Sequence, residues 1–109
     1  MKIVNRKTFL ALPENTLFAK YEPCVFGDLS IKMSTLDNGD FGNQQIVDAI
    51  EAPNSEYFIK NLIKAENGAS IEMNFDYFGR DGCFDERQLF VVFEKQDVFA
   101  LIERLKRCL

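Results

Sequence analysis

Residues 76–86 gather Asp76, Arg80, Asp81, Asp85 and Glu86 around two glycines, Gly79 and Gly82. Carboxylates this close could hold a hard cation, act as the acid and base of a hydrolase, or present negative charge to a basic partner. The calcium-loop pattern fails, because the alternating ligand positions before the glycine hold Tyr77 and Gly79. Asp37-Asn38-Gly39-Asp40 fails in a similar way. A paired-carboxylate site stays open, since carboxylate separation is a three-dimensional quantity. The chain has no histidine, which removes the commonest general base and metal ligand along with Ser-His-Asp and Cys-His arrangements. Gly79 and Gly82 lack the Lys-Ser/Thr ending and helical context of a phosphate loop. Cys24, Cys83 and Cys108 are odd in number and without Cys-x-x-Cys spacing, so neither a disulfide framework nor a closed zinc site is expected. Three reduced, buried or half-buried thiols are expected instead; Cys24, after Pro23, is the one candidate for a reactive thiol. No catalytic residue, metal ligand or cofactor is assigned. Asp76, Arg80, Asp81, Asp85 and Glu86 are the candidate partner-binding residues.

The elements that must position these side chains follow from periodicity. Ile71, Met73, Phe75 and Tyr77 alternate with Glu72, Asn74 and Asp76, predicting a half-buried strand over 71–78. Leu89–Phe93 is apolar on both faces, as a central strand is, so a hairpin over 71–93 turning at Gly79–Gly82 is expected to organise the fold. Upstream, Asn5 caps a short helix through Leu12, Val4 and Phe9 form its hydrophobic staple, and Pro13 ends it. Leu17–Leu36 reads as a hairpin with its turn at Glu22-Pro23 or Gly27-Asp28, and Leu29, Ile31 and Met33 alternate along its second strand. After the Asn38-Gly39 turn, Phe41–Ala52 is read as a further meander strand, with a helix as the alternative. Asn54 or Ser55 caps a second helix with Phe58, Ile59, Leu62 and Ile63 on one face, stopped at Asn67-Gly68. A third helix, from about Gln96 to Leu109, carries a stripe of Val98, Leu101, Ile102, Leu105 and Leu109, with Arg104, Lys106 and Arg107 at its C-terminal end. The expected fold is a single α+β domain over residues 1–109, a mainly antiparallel sheet of four or five strands with three helices. Phe75, Leu89, Val91, Phe93, Leu101, Ile102 and Leu105 are expected to be buried together.

A chain of 109 residues is sized for one core, and 47% hydrophobic residues place it among globular proteins. Eleven Phe and no Trp hand the aromatic packing to Phe. No apolar run approaches the roughly 18 residues of a membrane span, and the N-terminus turns charged before a signal-peptide core could form, so a cytoplasmic location is expected. The net charge of −4 is unevenly spread: residues 37–88 hold four basic and eleven acidic groups. That argues against direct nucleic-acid binding, which needs a basic surface, and suits a protein partner with a basic surface.

The stretch Asn5-Arg6-Lys7-Thr8-Phe9-Leu10-Ala11-Leu12-Pro13 resembles a family of small uncharacterised proteins encoded by tailed phages and prophages. So do Phe18, Lys20-Tyr21, Pro23-Cys24, Phe26-Gly27, Leu29 and Ile31-Lys32, and further on Phe75-Asp76, Gly79-Arg80-Asp81-Gly82 and Phe84-Asp85. The resemblance implies a phage or mobile-element setting, in the host cytoplasm, and brings no catalytic residues. In that setting the expectation is a non-catalytic protein that acts by binding a host protein, as inhibitors of defence systems such as CRISPR–Cas do. The alternatives are an assembly accessory that oligomerises, marked by an exposed Phe patch, and a small ligand binder or enzyme, marked by a pocket of convergent polar groups.

Overall fold

Asn5 joins the first strand to the first helix. Strand β1 (Lys2–Asn5) runs into helix α1 (Arg6–Leu10), where the Asn5 side chain accepts a hydrogen bond from the Thr8 N–H at 2.9 Å. The computed structural model describes residues 1–109. Regular helix stops at Leu10, two residues earlier than the sequence suggests; the Ala11 and Leu12 N–H groups bond Thr8 and Phe9 carbonyls in a last, tighter turn before Pro13.

One sheet carries the remaining strands, β2 (Thr16–Glu22), β3 (Val25–Phe26), β4 (Ser30–Thr35), β5 (Phe41–Gln45), β6 (Gly79–Arg80) and β7 (Leu89–Val92). Its order is β1-β7-β2-β4-β5-β6, with β3 also on β2, and every pairing is antiparallel. The class is the expected α+β, but the strands number seven against four or five. The surplus comes from β1 and the two-residue β3 and β6, which are too short to leave an alternating pattern. The Leu17–Leu36 hairpin forms, pairing Leu17 with Ile31; its return strand is broken into β3 and β4 where the Gly27 N–H bonds the Lys20 carbonyl. Phe41–Gln45 continues the meander as expected, while residues 46–52 are irregular.

Strand β7 is central, paired with β1 on one side and β2 on the other. Because β1 and β2 both run against it, they are parallel to each other, and α1 crosses the sheet face between them as a split β-α-β unit. The core lies beneath α1. Phe9 stacks on Phe90 with centroids 3.9 Å apart and meets Phe18 at 4.7 Å and Phe41 at 5.0 Å, all four fully or almost fully buried. Lys32 is buried on this face too; its Nζ donates to the Leu12 and Met33 carbonyls at 2.9 and 3.0 Å. Burial pushes its ammonium pKa down, against the opposing pull of Glu14.

The expected 71–93 hairpin does not form. Residues 71–78 have no strand partner, and the reason is competition: both edges of β7 are taken, while Gly79–Arg80 pairs with β5. Asn74 also turns the segment, accepting from the Asp76 N–H through its side chain and from the Tyr77 N–H through its carbonyl. The expected core set breaks up accordingly. Val91 is buried and Leu89, Phe93 and Leu101 are half-buried, but Phe75, Ile102 and Leu105 are exposed. Helices α2 (Ser55–Glu66) and α3 (Lys95–Lys106) form where the caps and stripes place them, α3 ending a turn before Leu109, yet neither contains a buried residue. The three cysteines are free but exposed rather than buried, since Cys24 and Cys83 lie in loops and Cys108 follows the end of α3. No helix is long and apolar enough to cross a membrane.

Candidate interaction surface

Asp40 fixes the loop that carries most of the candidate residues. It precedes β5, is wholly buried, and receives the Phe41 N–H at 2.9 Å and the Gly82 N–H at 3.0 Å on Oδ1, with the Arg80 Nε at 3.0 Å on Oδ2. Burial alone would push its carboxyl pKa up; the Gly82 and Phe41 N–H groups and the Arg80 guanidinium outweigh that and hold it below the usual carboxylate value. Beside it, Asp81 accepts from Lys20 Nζ at 2.9 Å and from Asn43 Nδ2 at 3.4 Å, and its side chain is only 3% exposed. Asp81 is thus engaged inside the molecule, while Arg80, tied to Asp40, keeps its side chain 63% exposed. Asp85 is exposed, its Oδ1 accepting from the Arg87 N–H at 2.9 Å and facing the Arg87 Nε at 3.9 Å. Asp76 and Glu86 are exposed and make no ion pair, so of the five candidate residues they are the free charges of this surface. Asp40 and Lys20 were not singled out from the sequence; their partners lie far along the chain, which no local pattern signals.

Next to this network an open groove of about 610 Å³ runs between the sheet end and α2, walled by Asn43, Phe58, Tyr77, Arg80, Asp81 and Cys83. Of its charged side chains, Lys20 is paired with Asp81 and Arg80 with Asp40, while Asp48 makes no ion pair. Asn43 Oδ1 is the one buried side-chain polar atom without a hydrogen-bond partner. No group of three or more Cys, Asp or Glu side chains is placed to hold a metal ion.

The larger feature is apolar. Helix α3 turns the Val98–Leu101 edge of its stripe toward Leu17, Leu29 and Phe93 on the sheet face opposite α1, and leaves Phe99, Ile102 and Leu105 outside, at 58, 45 and 54% exposure. Helix α2 shows Tyr57, Ile59, Leu62 and Ile63 to solvent, and the 71–78 segment adds Met73, Phe75, Tyr77 and Phe78. Single exposed apolar residues are ordinary; the greater part of the apolar stripe on each of two helices is not. The surface as a whole carries the same message. A folded monomer of 12.6 kDa is expected to expose about 6,200 Å², and this chain exposes 7832 Å². Its radius of gyration is 15.4 Å against about 13 Å for a domain of this length.

Comparison with protein-family models, with curated proteins and with solved structures finds no match to this chain.

Proposed function

We propose that the protein works by binding other protein surface, without a catalytic step, and that the apolar faces of α2, α3 and residues 71–78 are its main contact. The observation that carries this reading is the surface itself: about 1,600 Å² more than a monomer of 12.6 kDa should leave in water. The exposed Phe75, Phe78 and Phe99 are the sign expected of a chain that oligomerises, and they favour association over a small-ligand site, whose groove has three of its four charged side chains already paired. Asp76 and Glu86, free and exposed beside this surface in the chain, suit a partner with basic character and act on the rate of encounter. The resemblance to small phage and prophage proteins supplies the setting, a host cytoplasm in which such a binder would act on a host protein, defence systems such as CRISPR–Cas included.

The test is affinity capture from host lysate containing a differently tagged copy of the chain. The native chain is expected to retain at least one protein in near-stoichiometric amount, and the Ile59→Glu/Ile63→Glu variant to lose it. Equal retention by the folded variant would remove the apolar faces from the function. Among retained proteins, Asp76→Lys/Glu86→Lys should slow association with any basic partner and flatten its salt dependence.

A further inference from the structure

We infer that the partner covering α2 and α3 is a second copy of this chain, joined in a two-fold dimer of the obligate kind. The inference rests on the association reading above and names the occupant of those two helix faces. The first argument is area. An excess of about 1,600 Å² per chain, doubled across an interface, falls within the roughly 2,000–5,000 Å² of obligate homodimers and lies above the total of about 1,600 Å² typical of separable partners.

The second argument is the state of the helices. Each is 12 residues long and buries no residue, and an isolated helix shorter than about 12–15 residues is marginal in water. Caps at Asn54 and Glu94 contribute, but the stability of a helix in a protein comes mainly from packing its apolar face. For α2 and α3 to exist whenever the chain is folded, their cover must be present whenever the chain is made. A second copy meets that condition; an occasional partner does not.

The third argument is charge. A face that meets its own image is disfavoured by net charge, since like charges then repel across the two-fold. Helix α2 balances Glu56 and Glu66 against Lys60 and Lys64, with Lys60 already paired to Glu56 at 3.1 Å. The acidic excess of residues 37–88 therefore lies outside α2, in the segments before and after it. A dimer built on the helices leaves that acidic surface, doubled by symmetry, for another partner.

The experiment is sedimentation equilibrium of the purified chain over about a hundredfold dilution, with Ile59→Glu/Ile63→Glu and Phe99→Glu as variants. The native chain should hold twice the 12.6 kDa chain mass throughout, and both variants should fall toward the single-chain mass over the same range. If a Glu variant loses the circular-dichroism signal of the sheet, Ile63→Ser and Phe99→Ser repeat the test with milder changes. A native dimer that all these variants leave intact overturns the inference. So does a native chain of single-chain mass at every dilution, and hydrophobic-dye binding then separates the two readings. Strong dye binding by the monomer removes only the second copy as occupant; no dye binding removes the association reading with it.

Discussion

Asp40 shows how little of this surface can be decided one residue at a time. Its sequence neighbours make a turn, Asp37-Asn38-Gly39-Asp40, and that much is legible. Its role is set by Arg80 and Gly82, 40 and 42 positions away, whose N–H groups reach its two oxygens. The same holds for Asp81, which reads as a surface charge and folds inward onto Lys20. Asp40→Asn should cost about 1–3 kcal/mol by weakening charge-assisted bonds to the Phe41 and Gly82 N–H groups and to Arg80, measured by urea unfolding. The pH dependence has a definite sign. The folded carboxyl titrates below the ordinary Asp value, so its contribution is fully present above about pH 4 and is lost as pH falls through the depressed value. The native chain should therefore lose stability in that acidic window more steeply than Asp40→Asn does. Parallel acid curves for the two would show that Asp40 does not anchor the 79–83 loop.

Among the elements, those fixed by a local device are where the sequence puts them. Asn5 and Asn54 cap their helices through the expected side-chain bonds, and Leu89–Val92 is central because both its faces are apolar. The alternation in 71–78 is as clear as any in the chain, yet it makes no strand. Periodicity states that a segment suits a sheet; it does not state that a free edge exists, and here β1 and β2 occupy both edges of β7. The core follows the pairing and not the pattern. Phe90→Ala, which would empty the stack against Phe9, is expected to cost about 3–5 kcal/mol, whereas Phe75→Ala should change monomer stability by less than about 0.5 kcal/mol. Thermal unfolding of the two variants, at a concentration low enough to separate chains, checks this. A larger loss for Phe75→Ala would restore the 71–93 hairpin as the centre of the fold.

For the molecule as a whole, the sequence carries a clean helical stripe in α3 and a good one in α2 without saying what each stripe packs against. Both look like core from the spacing alone. In the folded chain the face under α1 is closed by Phe9, Phe18, Phe41 and Phe90, and the opposite sheet face takes only one edge of α3. On the proposal made above, the remainder of both stripes is covered by protein from outside the chain. Hydrogen exchange measured along a dilution series tests it most directly. Amides of α2 and α3 should be protected in the dimer and lose that protection once dilution beyond the hundredfold range separates the chains, while those of β2, β4 and β7 stay protected throughout. Protection of α2 and α3 equal to that of the sheet in a chain shown to be monomeric would contradict the account.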